Sequence, residues 1–358
     1  MQLPVKHARS KAATLKDVAA AAGVHVSTAS RTLNPITRHL LAGNVALRVE
    51  RAAQELDYRP DLVAASLRTG RSRLIGVLVP DIADPVFSPI LGGITESLLA
   101  VGYSTVIADG GGNLDRQIEL VEGLMARRVD GLVLATVGRK DDPVVDHCLR
   151  RGLPAVLVNR TESQPRLPTV VSDDVGGMKL AVDHLVALGH RRIGHVAGPQ
   201  HVSTGFLRRR GFEAAVKKHG LPGAIAVEVA SAYSRTEGRR VAGALLDARG
   251  DLTAIVAAND LLALGVYDAL DARKLRCPAD ISVVGHNDMP LVDMVSPPLT
   301  TVRISHREMG EVAARMMLEE LAGQSHRERD VTLTPTLIIR SSSRKLSQHT
   351  APENGRGP

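Results

Sequence analysis

From Leu74 onward the chain alternates short aliphatic runs with amphipathic stretches, and that alternation leaves few folds open to it. Runs at Leu74–Val79, Thr105–Ala108, Gly131–Ala135, Ala155–Val158 and Thr169–Val171 read as strands, with helices at about 86–101, 115–127 and 142–151 between them. A second series repeats the style. Its strands are Ile193–Ala197, Ala226–Val229, Ala254–Ala257, Ser282–Gly285 and Thr300–Arg303, and its helices lie near 176–188, 205–219, 234–248, 260–272 and 306–322. Strands separated in this way by helices form parallel sheets wound on both faces. Ten strands in two runs predict an α/β body of two doubly wound lobes with a cleft between them.

The N-terminal segment follows a different pattern. Residues 14–34 read as two short helices hinged at Gly23. Thr14 is a good N-cap, with Asp17 three residues on to complete a capping box. Leu15, Val18, Ala19 and Ala22 recur at helical spacing. Gly23 allows a tight turn, and a second helix starts near Val26 with Ala29 and Leu33 on its packing side. Val26, Ser27 and Arg31 are read on the opposite side, where the second helix of a helix-turn-helix meets base edges. Residues 44–56 carry Val45, Val49, Ala52, Ala53 and Leu56 at helical spacing, a third helix that closes a small all-α domain. Charge points the same way. Residues 1–72 hold a net +6 of the whole chain's +7, which suits a phosphate-contacting module on a near-neutral body.

Composition bounds the rest. With 358 residues, 44% hydrophobic and 23% charged, the chain can build two or three soluble domains. No apolar run reaches the roughly 18 residues that span a bilayer, and no signal peptide is read at the N-terminus, so a cytoplasmic protein without membrane contact is expected. Cys148 and Cys277 lack metal-ligand spacing and read as reduced thiols. His184, His190 and His195 are separated by a strand and turn, which argues against a metal site. Gly110-Gly-Gly112 reads as a flexible turn. There is no Gly-x-Ser-x-Gly elbow, phosphate-binding loop or His-Glu-x-x-His, so neither an enzyme nor a cofactor is expected.

Several segments in a fixed order resemble one family. They are Thr14 to Asn34, Leu56-Asp-Tyr-Arg-Pro60, Leu74-Ile-Gly-Val77, Arg127-Arg-Val-Asp-Gly-Leu132, Leu188-Gly-His-Arg-Arg-Ile-Gly-His-Val-Ala-Gly-Pro199, Asn259-Asp260 with Ala263-Leu-Gly265, Val284-Gly-His-Asn-Asp288 and Ser296-Pro-Pro-Leu-Thr-Thr-Val302. Spanning residues 14 to about 340, they are similar to transcriptional regulators of the lactose-repressor and galactose-repressor (LacI/GalR) family. The resemblance implies a repressor that binds a pseudo-palindromic double-stranded operator as a homodimer. A small polar effector in the cleft of a periplasmic-binding-protein-like body would control operator affinity. The alternative is a sugar-binding protein without DNA activity.

Carried over by position, Val26, Ser27 and Arg31 would read bases, and Asn34 falls within the matched head. Thr28 and Ser30 would contact phosphate, with helix capping as the other reading. Arg31 has the strongest physical case, since its fork matches guanine O6 and N7. His25 stands where the family has a capping serine, and Thr37–Asn44 lacks the family's Ser-x-x-Thr-Arg. Val63, Ala64 and Leu67 match a hinge helix, with Leu67 either wedging into the minor groove or packing on the body. Asp61 departs from the usual uncharged residue.

The effector lining would be Asp84, Val86, Phe87, Ile90, Asn159 and Ser172 from one lobe and Arg208, Tyr233, Asn259 and Asn287 from the other. Open α/β sheets bind ligands at such strand ends. Amides, an arginine and an aromatic face suit a sugar or sugar acid, although each could be an ordinary loop group. Asn159 and Asn287 replace family aspartates, which is expected to leave Arg208 under-neutralised and to favour an anionic ligand.

The domain plan is a disordered basic arm (1–13), the helix-turn-helix domain (14–59), and a hinge helix with linker (60–73). The two-lobed body (74–340) follows, with lobe 1 about 74–171 and 302–330, lobe 2 about 172–301 and 331–340, and a disordered tail at 341–358. That tail has one large aliphatic residue, Leu346, and no heptad seam, so a dimer rather than a tetramer is expected.

Overall fold

The computed structural model describes residues 13–33, 37–58, 70–221, 226–324 and 329–346. It divides into two units, Met1–Arg73 and Leu74–Pro358.

In the first unit, helices α1 (Leu15–Ala21), α2 (Val26–Thr32) and α3 (Gly43–Glu55) surround a core of small residues. Val18, Ala19, Ala22, Ala29, Val49, Ala52 and Ala53 are buried together. The capping box forms: the Asp17 backbone N–H donates to Thr14 Oγ1 (3.4 Å), and the Thr14 backbone N–H to Asp17 Oδ2 (2.8 Å). Gly23 has φ +63°, and a Cβ there would meet nothing within 4 Å. Backbone conformation, not space, therefore requires glycine at this turn.

The second unit holds two six-stranded sheets. Lobe 1 contains β1 (Leu74–Val79), β2 (Ser104–Asp109), β3 (Gly131–Leu134), β4 (Ala155–Val158) and β5 (Thr169–Ser172), with helices α4 (Phe87–Leu99), α5 (Leu114–Ala126) and α6 (Pro143–Arg151). Lobe 2 contains β6 (Ile193–Ala197), β7 (Ala226–Val229), β8 (Ala254–Ala257), β9 (Ser282–Asn287) and β10 (Thr300–Arg303). Its helices are α7 (Asp174–Ala187), α8 (Ser203–Lys218), α9 (Arg235–Ala248) and α10 (Asp260–Asp271). The chain then returns to lobe 1 as α11 (His306–Leu321) and β11 (Asp330–Leu333), and ends in lobe 2 with β12 (Thr336–Ile338). Sheet orders are β11-β5-β4-β3-β1-β2 and β12-β10-β9-β8-β6-β7. All pairings are parallel except β12 on β10.

All ten expected strands are present, and the two-lobed α/β reading holds. The alternation missed β11 and β12, which are short, half-exposed edge strands without a helix between them. Because of them the crossings fall later than 301 and 330. Val302 and Arg303 still pair with His286 and Asn287 in lobe 2, while Val331 to Leu333 pair with Val170 to Ser172 in lobe 1.

The expected disordered tail is also corrected at its start. Ser342 is fully buried, and its Oγ donates to the Val283 carbonyl (2.6 Å) and accepts the Thr300 N–H (2.7 Å). Ser343 Oγ lies 2.9 Å from His184 Nε2, and the Leu346 N–H donates to the Leu188 carbonyl (2.9 Å). Polar residues without a hydrophobic pattern are held here by hydrogen bonds to the starts of β9 and β10, a signal composition does not carry. Residues 347–358 and 1–12 lie outside the described residues.

Candidate functional site

Helix α2 presents Ser27 and Arg31, one turn apart and both exposed. Its N-cap is His25, whose Nδ1 accepts the Ser27 backbone N–H (3.3 Å) and lies 2.8 Å from Ser27 Oγ. A histidine ring thus takes the place of a serine hydroxyl, and Thr28 and Ser30, both half-buried, do not make that cap. Val26 does not face outward as expected. It is half-buried against the core, because Val26, Ala29 and Leu33 are spaced three and four apart and share a face. The Thr37 hydroxyl donates to the Arg31 carbonyl (2.8 Å), and Arg38 pairs with Glu50 on α3. Asn34, Val63, Ala64 and Leu67 lie outside the described residues, as does Asp61.

In the body, strand ends from both lobes converge on a cavity. Its walls are Asp84, Val86, Phe87, Asn159 and Arg160 from lobe 1 and Thr204, Arg208, Tyr233, Asn259 and Asn287 from lobe 2. Eight of the ten residues expected there are brought together. Ile90 is not: one turn beyond Phe87, it points into the lobe 1 core at 1% exposure. Ser172 is not either; its hydroxyl faces the Leu333 carbonyl at 3.5 Å.

Sequence reading missed Arg160 and Thr204. Arg160 directly follows Asn159, and Thr204 lies four residues before Arg208 on the same face of α8, so adjacency and helical spacing were the available signals.

Each cavity wall is fixed locally. Asp84 Oδ1 accepts the Val86 N–H (3.1 Å), which shapes the loop after β1. Asn259 caps α10, its Oδ1 accepting the Leu262 N–H (2.9 Å). Tyr233 donates its hydroxyl to Thr204 Oγ1 (3.2 Å) and lies over Gly198, where a Cβ would sit 2.4 Å from that oxygen. Only glycine leaves room for the ring there.

Arg208 is only 2% exposed, and its Nε donates to Asp174 Oδ1 (2.7 Å) and its Nη1 to the Ala258 carbonyl (2.7 Å). Burial pulls the guanidinium down, but Asp174 and Tyr233 more than offset it, and the net shift is upward. This corrects the expectation of an under-neutralised arginine. The neutralising carboxylate comes from Asp174 on α7, 34 residues away, rather than from positions 159 or 287. Burial raises the carboxyl of Asp84, against the Val86 N–H and the charge of Arg160.

The three histidines of the early cluster serve separate structural contacts: His184 with Ser343, His190 with Thr253 and the Arg344 carbonyl, and His195 with the Val256 carbonyl. Among the described residues, no three His, Cys, Asp or Glu side chains gather in a way that could hold a metal, and no helix is long and apolar enough to cross a membrane.

A helix-turn-helix unit and a two-lobed unit with a polar cavity between its lobes define a class: DNA-binding regulators with a ligand-binding body. Comparison with known proteins agrees. Residues 14–61 match the model for bacterial regulatory proteins of the lacI family, and residues 182–343 match a periplasmic binding protein-like domain. The ribose operon repressor of Escherichia coli (strain K12) is 31% identical over 92% of this chain and 100% of its own length. A lac repressor dimer bound to operator and the anti-inducer ONPF superposes with a TM-score of 0.81 at 29% identity, covering 93% of this chain and 100% of that one. A LacI family regulator from Enterococcus faecium with bound ribose gives a TM-score of 0.68 at 27% identity, covering 76% and 100%. The chain belongs to the lacI family of bacterial regulatory proteins.

Proposed function

We propose that this protein is a cytoplasmic repressor that binds a pseudo-palindromic operator as a homodimer and releases or tightens on it in response to a small polar effector, a sugar or sugar acid. The observation that carries this reading is the cavity itself, lined by guanidinium, amide and aromatic groups drawn from both lobes. A ligand touching both lobes favours the arrangement that brings them together, and that differential affinity is what an allosteric regulator requires. Similarity to the ribose operon repressor and to the ribose-bound regulator supports a sugar-class effector.

In the head, Ser27 and Arg31 read bases and Thr28 and Ser30 meet phosphates in this proposal, with Val26 contributing only its exposed edge. Val63, Ala64 and Leu67 are assigned to the hinge on sequence match alone, Leu67 as a minor-groove wedge. The cavity serves binding rather than catalysis. The alternative of a sugar-binding protein without DNA activity loses ground to the lacI match over residues 14–61.

A mobility-shift titration on fragments flanking the gene, with and without monosaccharides, tests the proposal. A retarded complex whose midpoint moves with a sugar is expected. A protein that shifts no fragment more tightly than random DNA would sink it.

A further inference from the structure

Hydrogen-bonding groups facing the cavity are unevenly divided between donors and acceptors. Arg160 makes no side-chain hydrogen bond among the described residues, and its Nε is buried without a partner. Two nitrogens of Arg208 are engaged, by Asp174 and the Ala258 carbonyl, which leaves Nη2 free to bond. On Asn259 the carbonyl oxygen is taken by the Leu262 N–H, and on Asn287 it sits 3.3 Å from His286 Nδ1. Both amides are therefore left with their N–H groups to offer. Against these donors stand the Thr204 and Tyr233 hydroxyls, already bonded to each other, and one carboxylate, Asp84, with one oxygen already accepting from Val86.

A neutral polyol brings a proton with every hydroxyl and matches a wall of balanced donors and acceptors. A carboxylate only accepts, and hydrogen bonds to it from a guanidinium are roughly twice as strong as neutral ones. A dianionic phosphate would bring a second charge toward Asp84 with only one unpaired guanidinium to meet it.

We infer that the ligand is a sugar acid, a polyol carrying one carboxylate, and that this carboxylate docks on Arg160 while Asp84 takes a ligand hydroxyl. The inference rests on the proposed reading of the cavity as the effector site. It also separates the two arginines: Arg208 is a neutralised, fixed wall group, and Arg160 selects for charge.

Calorimetric titration of the full chain with matched probes tests it: glucose against glucuronate and glucose-6-phosphate, and galactose against galacturonate. At least one uronate is expected to bind tenfold or more tightly than its neutral and phosphorylated counterparts. Arg160→Gln should abolish that preference, and Arg160→Lys, which keeps the charge without the fork, should retain part of it. A neutral sugar that binds the parent protein as tightly as its uronate overturns the acid inference and leaves the effector-site reading standing. A uronate preference that survives in Arg160→Gln overturns the role of Arg160. Silence from every probe overturns both the inference and the reading beneath it.

Discussion

Asn159 and Asn287 end strands in opposite lobes, and both hold a positive φ, +64° and +114°. Asparagine tolerates that region better than most residues, so the amides at these positions answer a backbone demand as well as a ligand. Residues next to them carry the charge. The Arg208–Asp174 pair is buried on both sides, with side chains 3% and 4% exposed. Removing one partner leaves an uncompensated buried charge, so Asp174→Asn is expected to lower stability by about 3–5 kcal/mol in urea unfolding. A loss under about 1 kcal/mol would mean the pair is replaced by solvent. On α2, Arg31→Ala should weaken operator binding by about 1–3 kcal/mol and relax one base position per half-site, read by selection of binding sites from random DNA. A uniform loss across sequences would instead make Arg31 a phosphate contact.

Among the elements, α4 and α11 touch through glycine. A Cβ on Gly93 would lie 2.3 Å from the Arg307 carbonyl oxygen, and one on Gly310 2.1 Å from that of Ile90. This crossing returns the chain to lobe 1 before its last passage into lobe 2. The segment after β12 then fastens lobe 2. Ser342→Ala leaves the Val283 carbonyl and the Thr300 N–H each without its hydroxyl partner, and is expected to cost about 1–3 kcal/mol. Equal unfolding midpoints for Ser342→Ala and the parent protein would show that the hydroxyl's bonds add nothing net. Only part of this was legible. The ten strands of the two runs follow from hydrophobic period, but β11, β12 and the 341–346 segment pair with residues from 33 to more than 150 positions away, and no local pattern announces such partners.

For the whole molecule, buried histidines set an acid limit. Burial pulls His195 and His306 down to about 4, and His286 well below its ordinary value. His195 packs on the Phe212 ring with centroids 4.6 Å apart, so a charge there has no water to solvate it. The unfolded chain takes up protons near pH 6.5 while the folded chain resists to about 4, so these groups favour folding above that window and the contribution is lost as pH falls through it. Asp260 acts in the opposite sense. Burial raises its carboxyl to about 7, and its contribution is lost as pH rises. With His184, His190 and His201 also pulled down, six histidines stand against three raised carboxyls, Asp84, Asp174 and Asp260, so unfolding midpoints should drop between pH 6.5 and 5, and His195→Gln should flatten the decline. A profile level across that range would contradict the burial argument. Assembly is tested separately: sedimentation equilibrium is expected to give about twice 38.1 kDa, and a monomer at micromolar concentration would remove the proposed homodimer.

What the sequence determined by itself was periodic and local. Strand–helix alternation specified two parallel sheets, and Thr14, Asp17 and Gly23 specified the first helix and its turn, because backbone geometry responds to residues within a few positions. Phase was already less secure: Phe87 lines the cavity while Ile90, three residues on, enters the core, and Val26 turned inward with Ala29 and Leu33. Tertiary structure alone decided which charges neutralise one another. Arg208 met Asp174 rather than a cavity carboxylate, and Arg160 was left with its donors unspent, because pairing depends on which strand ends the fold brings together and not on their order along the chain.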